Sequence, residues 1–228
     1  SDSPSGSATF GIMQSCAVAE QEICCPIVSR IIKINPSVDR SELEMTPLNE
    51  KPDILRRKLK LLQDNRVPDG FVTGSGETFE WIWLPSSDPN QILSIRNSPH
   101  LLLNMRNVLP ITMESHLNFL ESYNSLQRID FVLINKERDQ YVGGMNIVLT
   151  FHGFELGKYI GNSDYLGRGV AYQMSMNFLR FLKENVREIK TISAVTKTGN
   201  IKNLNLNLRL GFKIMRRVED DYWLMELK

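Results

Sequence analysis

The sequence predicts a mixed α/β (α+β) domain that follows an N-terminal extension. Strand-like segments alternate with amphipathic helical segments from Phe79 onward, whereas the first 75 residues show no such order. The length of 228 residues exceeds one minimal module and falls short of two full domains. We therefore expect an extension over residues 1–75 and a single domain over residues 76–228.

Composition and charge exclude several classes of protein. Apolar residues make up 42% and charged residues 23%, which is ordinary for a globular chain. The net charge of +1 lacks the basic excess of a nucleic-acid-binding domain, so we expect no nucleic-acid partner. Apolar runs stay short of the roughly 18–20 residues of a membrane span, so we expect no membrane partner. Three cysteines crowded near the N-terminus, Cys16, Cys24 and Cys25, favour a reducing, cytoplasmic location.

Hydrophobic spacing and turn residues locate the individual elements. Helices are predicted at 51–64, 88–97, 112–123, 169–183 and 201–210. Strands are predicted at 26–34, 79–84, 131–135, 141–150, 154–160, 191–195, 212–217 and 222–226. The stretch 66–76 contains Val-Pro-Asp-Gly and Thr-Gly-Ser-Gly, which predict turns.

The segment Tyr165-Leu166-Gly167-Arg168-Gly169-Val170-Ala171 lies between a predicted strand and a predicted helix. Glycines let a backbone approach a ligand closely, and the N–H groups at a helix start attract anions. The segment therefore suits a phosphate or pyrophosphate, and a plain strand-to-helix turn is the alternative. A dinucleotide fingerprint would need a third glycine where Tyr172 stands, and the Gly-Lys-Ser/Thr of a P-loop is missing.

A second segment, Asn200 to Phe212, reads as a helix that ends at a C-cap glycine. Together the two segments resemble the GNAT superfamily of N-acetyltransferases, which bind acetyl-CoA. The pyrophosphate motif of that family, Gln/Arg-x-x-Gly-x-Gly/Ala, matches here at Leu166, Gly169 and Ala171. Its later Asn-x-x-Ser/Ala…Leu-Gly-Phe pattern matches at Asn200, Asn203, Leu210, Gly211 and Phe212.

The resemblance covers residues 78–228, about two thirds of the chain. Arg96-Asn97 and His116…Phe119 look like the opening of two branches, the RimJ/RimL-like and the amino-sugar N-acetyltransferases, and Val142-Gly143-Gly144 matches a family strand. Two positions depart from the pattern. Leu166 replaces the usual Gln or Arg, and Asn207 stands where many members carry a Tyr proposed as general acid.

The resemblance implies a GNAT fold, with a mixed twisted sheet that splays between the strands at 154–160 and 191–195 to admit acetyl-CoA. It assigns acceptor contacts to Arg96, Asn97 and His116. It assigns cofactor contacts to Leu166, Gly167, Arg168, Gly169, Val170, Ala171, Asn200 and Asn203. We expect no metal, because the spacing of His100, His116 and His152 suits no common zinc motif.

The implied chemistry is direct transfer of acetyl to a primary amine. An alkylamine with a pKa near 10.4 is neutral in only about one molecule in a few thousand at pH 7. The reaction therefore needs a base that removes a proton from the ammonium group. Glu155 lies in the strand where the family carries its catalytic Glu, and the alternative is an exposed strand carboxylate. Tyr165 and Tyr172 stay open as substitutes for the missing acid.

We expect an acetyl-CoA-dependent N-acetyltransferase whose acceptor is a small-molecule amine, with a nucleotide-linked amino sugar as the leading candidate. A protein N-terminal amine is the second candidate, and a non-catalytic acetyl-CoA-binding regulatory module is the third. A homodimer stays open. We also expect the extension to shape the acceptor side or a subunit contact.

Overall fold

The computed structural model describes residues 54–105, 108–151, 153–218 and 221–228. The predicted strand at 26–34, the three cysteines and His152 lie outside these ranges. No helix in the described ranges is long and apolar enough to cross a membrane.

Within these ranges the chain forms six α-helices and eight strands. The helices are α1 (Leu55–Gln63), α2 (Pro89–Arg96), α3 (Pro99–Leu102), α4 (Met113–Ser122), α5 (Val170–Asn185) and α6 (Ile201–Arg209). The strands are β1 (Phe71–Val72), β2 (Thr78–Trp83), β3 (Arg128–Asn135), β4 (Gln140–Thr150), β5 (Gly153–Ile160), β6 (Ile192–Lys197), β7 (Lys213–Val218) and β8 (Tyr222–Leu227).

The strands form one sheet in the order β1-β2-β3-β4-β5-β6-β8-β7. All neighbours are antiparallel except β5 and β6, which are parallel and are joined through α5. Their ladder is short, with the register pairs Phe154↔Ile192 and Glu155↔Ser193, whereas β4 follows β5 along its whole length. The sheet therefore opens beyond Glu155 and Ser193, and we call this gap the β5–β6 cleft.

Helices cover both faces of the sheet. On one face α5 packs Phe178 and Phe181 against Phe131, with ring centroids 6.0 and 5.3 Å apart. The indole nitrogen of Trp81 also donates to Asn177 of α5 at 2.8 Å. On the other face α2 packs against β4 and α4. The apolar stripe of α5 thus encloses the main core.

The outer strand β7 carries five exposed residues, and its pairing with β8 is interrupted by a register shift between Ile214 and Arg216. At the opposite edge β1 pairs with β2 over only two residues. The strand pairing at both edges of the sheet is therefore short or interrupted.

The predicted fold class is confirmed, and the described helices and strands that were predicted agree with their predicted boundaries to within four residues. The strand predicted at 131–135 begins earlier, at Arg128, because Arg128 and Asp130 pair with each other inside the sheet. The prediction of turns over 66–76 overlooked β1, whose Phe71 ring stacks on Phe79 at 5.2 Å. The helix α3 was also missed, and it is only four residues long.

The elements α1 and β1 precede residue 76 yet join the main domain. Ile54 and Leu61 are buried in the same core as the sheet, and β1 extends the sheet through β2. The buried ammonium of Lys58 also donates to the carbonyl oxygens of Tyr123 and Leu126, each at 2.6 Å. The boundary between extension and domain stays a prediction.

Candidate functional site

Residues 165–171 run from the loop before α5 into its first turn and contain two glycines with left-handed backbone angles, and we call this segment the glycine loop. Gly167 and Gly169 have φ angles of 75° and 78°, a region that only glycine enters readily. A Cβ atom built on either glycine would meet nothing within 4 Å. The loop therefore presents bare backbone to open space at the start of a helix.

Five consecutive amides of the glycine loop have no protein acceptor within the described part of the chain. They are the N–H groups of Gly167, Arg168, Gly169, Val170 and Ala171. The next two amides, of Tyr172 and Gln173, donate to the Gly169 carbonyl at 3.1 and 3.2 Å. Because α5 is 16 residues long, its dipole adds to these donors. This arrangement can bind an anion such as a phosphate.

The side chains of the glycine loop contribute unequally. Val170 is fully buried in the core, so only its backbone can face a ligand. Leu166 is half-exposed. The Arg168 guanidinium lies 3.5 Å from Glu77 and 5.8 Å from the Tyr165 ring centroid, and it is partly exposed. The candidate anion site thus consists of backbone donors with one arginine beside them.

The two asparagines predicted to bind the cofactor lie on α6 and make local contacts. Asn200 is the N-cap of α6, and its side chain accepts from the Asn203 amide at 3.2 Å. The Asn203 side chain donates to the Thr196 hydroxyl on β6 at 3.2 Å. These bonds fix α6 against β6, and direct contact of either side chain with a cofactor stays a prediction.

A lysine and an asparagine meet across the β5–β6 cleft. The Lys158 ammonium on β5 donates to the Asn207 amide oxygen on α6. Asn207 is fully buried, and its nitrogen donates to the Thr196 hydroxyl on β6 at 3.0 Å. Burial lowers the pKa of Lys158 from 10.5 to about 8. Lys158 was not predicted, because nothing in the sequence distinguishes it from other strand lysines.

The opposite face of β5 carries Glu155, Gly157 and Tyr159, since side chains alternate along a strand. A Cβ on Gly157 would lie 2.6 Å from the side-chain oxygen of Asn146 on β4. A Cβ on Gly144 would lie 2.9 Å from the Tyr159 hydroxyl. The two glycines therefore make room for Asn146 and Tyr159. We call this surface, together with α2 and α4 above it, the acceptor face.

Two of the predicted acceptor residues meet on the acceptor face. The Arg96 guanidinium, at the end of α2, lies 4.7 Å from the Tyr159 ring centroid. His116 on α4 is buried, and its Nε2 has no hydrogen-bond partner among the described residues. Burial, followed by the charge of Arg96, lowers the pKa of His116 below 6.5. His116 is therefore a neutral imidazole whose buried Nε2 is unpaired within the described part of the protein.

The third predicted acceptor residue, Asn97, is bound within the protein. Its side chain donates to the Ile111 carbonyl and accepts from the Ile111 amide, each at 2.8 Å. These two bonds hold the segment after α3 against the end of α2. A direct contact of Asn97 with an acceptor stays a prediction.

A buried ion pair on β3 adds two residues to the candidate site that were not predicted from the sequence. The Arg128 Nε donates to the Asp130 carboxylate at 2.7 Å, and both side chains are largely buried. The Arg128 guanidinium also lies 4.9 Å from the Phe119 ring centroid on α4. Arg128, Asp130 and Asn146 share the acceptor face through the β3–β4 register. The alternation of charged residues at the start of an apolar strand was the available clue.

The described ranges contain no cluster of three or more His, Cys, Asp and Glu side chains that could hold a metal ion. A separate cavity of about 390 Å³ lies between α1 and the end of α5, and charged side chains line most of it. This cavity is at the opposite end of α5 from the glycine loop.

Comparison with known proteins identifies the fold. No protein-family model and no curated protein matches the chain. Solved structures do match it. The GNAT domain of PAT from S. lividans is 15% identical over 70% of this chain and 96% of that one, with a TM-score of 0.56. Spermidine N-acetyltransferase from Vibrio cholerae, solved with CoA and spermine, is 15% identical over 66% and 94%, with a TM-score of 0.56.

An aminoglycoside acetyltransferase solved with coenzyme A is 12% identical over 66% of this chain and 94% of that one, with a TM-score of 0.55. At these low sequence identities the similarity shows only that the fold is shared. The chain has the GNAT fold, as the two sequence motifs predicted.

Proposed function

We propose that the chain is an acetyl-CoA-dependent N-acetyltransferase that acetylates a primary amine of a small molecule. One observation carries the proposal, namely the five unpaired amides of the glycine loop beside the β5–β6 cleft. The GNAT fold supports it, and two of the matching structures were solved with CoA.

The residues present fit the cofactor. The amides of residues 167–171 would hold its pyrophosphate, and Arg168 would add a positive charge nearby. Beyond Glu155, β5 has no ladder to β6, so backbone groups of residues 156–159 have no strand partner on that side and could bind an amide-containing arm. The open surface around Gly167 and Gly169 leaves room for the phosphates.

Glu155 would act as the base. It lies in the last paired position before the β5–β6 cleft and projects toward the acceptor face. A primary amine arrives mostly as ammonium at neutral pH, and a carboxylate at this position can attract it and take up its proton. The amine nitrogen then attacks the thioester carbonyl carbon, and the carbon–sulfur bond breaks. No covalent enzyme intermediate is required.

The acceptor face favours an acceptor that also carries an anionic group. Arg96 supplies positive charge there, whereas the charge of Arg128 is already paired with Asp130, and the neutral His116 supplies one hydrogen-bonding nitrogen. A nucleotide-linked amino sugar combines an amine with phosphates and fits these groups. Two matching structures are named for small amine-bearing acceptors, spermidine and aminoglycosides, which supports a small molecule over a protein N-terminus.

The proposal is tested by two measurements on the full chain. Calorimetric titration with acetyl-CoA measures binding, and CoA release measures turnover on UDP-linked amino sugars, spermidine, kanamycin and a peptide with a free N-terminus. We expect micromolar binding and fastest release with an amino sugar. Fastest release with the peptide would favour an N-terminal acetyltransferase. Binding without any release would favour the regulatory module, and absence of binding would contradict all three.

We further propose that the extension shapes the acceptor side or a subunit contact. Because Ile54 and Leu61 belong to the core, the deletion that tests this role ends at residue 53. The expected result is a change in acceptor range or in the homodimer content measured by light scattering. Unchanged solubility, assembly and acceptor range would contradict the role.

A further inference from the structure

The bond between Lys158 and Asn207 lies where the two strands of the β5–β6 cleft have separated. Lys158 is three residues beyond Glu155 on β5 and therefore projects from the other face of the strand, toward α6. Asn207 continues the contact to Thr196 on β6. A chain of hydrogen bonds thus crosses the β5–β6 cleft, and its β5 end is an ammonium group.

The ammonium of Lys158 has no carboxylate partner among the described residues. The groups that face it are neutral, with the Asn207 amide on α6 and Met145 opposite on β4. Desolvation alone accounts for the lowered pKa of about 8. An unpaired cation in such surroundings is unfavourable unless a ligand supplies negative charge.

We propose that Lys158 is the catalytic acid that transfers a proton to the departing thiolate sulfur, with Asn207 holding its ammonium in position. This inference rests on the acetyl transfer proposed above. The amine nitrogen forms a bond to the carbonyl carbon, and the carbon–sulfur bond breaks with its electron pair remaining on sulfur. Lys158 gives one proton to that sulfur. Glu155, having passed the first proton of the ammonium to solvent, takes the second one from the nitrogen as the amide forms. Solvent then returns the proton to Lys158 and removes the one on Glu155.

The acidity of Lys158 suits this step. An alkyl thiol has a pKa near 8.5, so a donor with a pKa of about 8 transfers its proton to a thiolate with little free-energy change. At pH 7 about nine tenths of such a lysine carries its proton. An ordinary lysine, with a pKa of 10.5, would be a much weaker acid.

The two tyrosines that the sequence left open are poorly placed for the same role. The Tyr165 hydroxyl donates to Gln140 at 2.9 Å, and burial raises the pKa of Tyr165. The Tyr172 ring is covered by the Arg209 guanidinium at 4.1 Å. Asn207 itself carries no acidic proton. Lys158 is thus the proton donor that the described part of the β5–β6 cleft offers.

Three variants test the inference. Lys158→Met removes the charge and the proton, and Lys158→Arg keeps the charge but cannot release a proton near neutral pH. Lys183→Met, on an exposed residue near the end of α5, is the control. The readouts are acetyl-CoA affinity by calorimetry, kcat from CoA release, and the thiolate fraction of bound CoA. The thiolate fraction is measured from the 13C chemical shift of CoA labelled at the carbon next to sulfur. This measurement needs no acceptor.

We expect bound CoA in the wild type to be more ionised at pH 8 than free CoA. Lys158→Met should lower that thiolate fraction several-fold, and Lys158→Arg should preserve it. Both variants should lose about 10²-fold in kcat. The wild-type kcat should fall above about pH 8, as Lys158 loses its proton, and Lys158→Arg should lack this fall.

An unchanged thiolate fraction in Lys158→Met, together with intact CoA binding, would overturn the inference while leaving the proposed acetyltransferase standing. A mass increase of one acetyl group on Lys158 during single turnover would also overturn it, because the lysine would then be a nucleophile. Failure of the wild type to bind CoA would instead remove the proposed function itself.

Discussion

Glu155 of β5 lies opposite Ser193 of β6, and this pair ends the parallel ladder between the two strands. The Ser193 hydroxyl donates to the Phe154 carbonyl at 3.1 Å, which ties β6 to β5 at the same level. The carboxylate is therefore attached to a rigid point of the sheet, at the closed end of the β5–β6 cleft. The base that we propose would thus stand on a strand that is paired on both sides at this level.

Glu155→Gln should lower kcat by about 10²- to 10³-fold, because the amide cannot accept the proton of the amine. Acetyl-CoA affinity should change less than twofold, since Glu155 lies at the far end of β5 from the glycine loop. Glu80→Gln is the control, because Glu80 is also a strand carboxylate but lies on β2 beside Lys136 at 3.5 Å. Steady-state CoA release decides the matter, and equal kcat values for Glu155→Gln and the wild type would remove Glu155 as the base.

Gly169→Trp should abolish measurable acetyl-CoA binding, because the indole would fill the open space beside the five amides. Gly153→Trp is a matched control, since Gly153 has a φ of 91° and its Cβ would also meet nothing within 4 Å. Gly153 lies in the turn at the opposite end of β5. Each substitution should cost about 1–2 kcal/mol of stability through its left-handed backbone. Calorimetry that shows equal affinity in both variants would argue against a cofactor site at the glycine loop.

His116→Phe should raise the KM for the acceptor by about tenfold and leave the free energy of unfolding unchanged or slightly higher. The reason is that the buried Nε2 has no partner to lose among the described residues. His100→Phe provides the contrast, because His100 Nε2 bonds the Ile160 carbonyl at 3.0 Å, and its loss should cost about 1 kcal/mol. Urea unfolding and acceptor titrations measure the two effects. A strongly destabilised His116→Phe would show a structural role instead.

The free energy of unfolding should rise between about pH 8 and pH 10, and above pH 10 the raised pKa values of Tyr123, Tyr159 and Tyr165 oppose the gain. Burial lowers the folded-state pKa of Lys58 to about 8, so in this window the unfolded chain binds more protons than the folded one. The opposing charge of Asp130 keeps the pKa from falling further. Below pH 8 Lys58 is protonated in both the folded and the unfolded chain, so the free-energy penalty for burying its charge is fully present. The expected gain is on the order of 2 kcal/mol per buried lysine.

The gain in stability with pH should shrink in Lys58→Met and in Lys158→Met, since burial lowers the pKa of each lysine to about 8. Exposed Lys183→Met should retain the full gain. Urea unfolding at pH 7.5, 9 and 10 makes the comparison. A wild type whose stability falls steadily over this range would contradict the buried-charge argument.

Local sequence patterns predicted most of the fold. The apolar stripe of α5, the glycines before it and the Asn200 cap of α6 act over a few residues and can be read directly from the sequence. The short elements β1 and α3 could not be predicted from the sequence, because segments of two and four residues are too short to show a hydrophobic periodicity. Their positions depend on packing, such as the stacking of Phe71 on Phe79 at 5.2 Å.

The candidate site could be predicted only in part, for the same reason. The glycine loop and Arg96 stand in recognisable motifs. The bond from Lys158 to Asn207 joins residues 49 positions apart in the sequence, and the splay of β5 from β6 brings them together. The burial that lowers the pKa of Lys158 is likewise a property of the assembled sheet. The Arg128–Asp130 pair was visible in the sequence as two charges, and its burial was not.

The outer strand β7 has a consequence for how copies of this protein meet. A bare strand edge invites another sheet to continue it, which is a common route to aggregation. Here β7 presents Lys213, Arg216 and Arg217 and is interrupted by a register shift after Ile214. If two such strands lay side by side, their positive charges would repel each other, and their backbone hydrogen-bonding groups would be out of register. Any dimer of this chain should therefore form through a helical or loop surface and should leave its two sheets discontinuous.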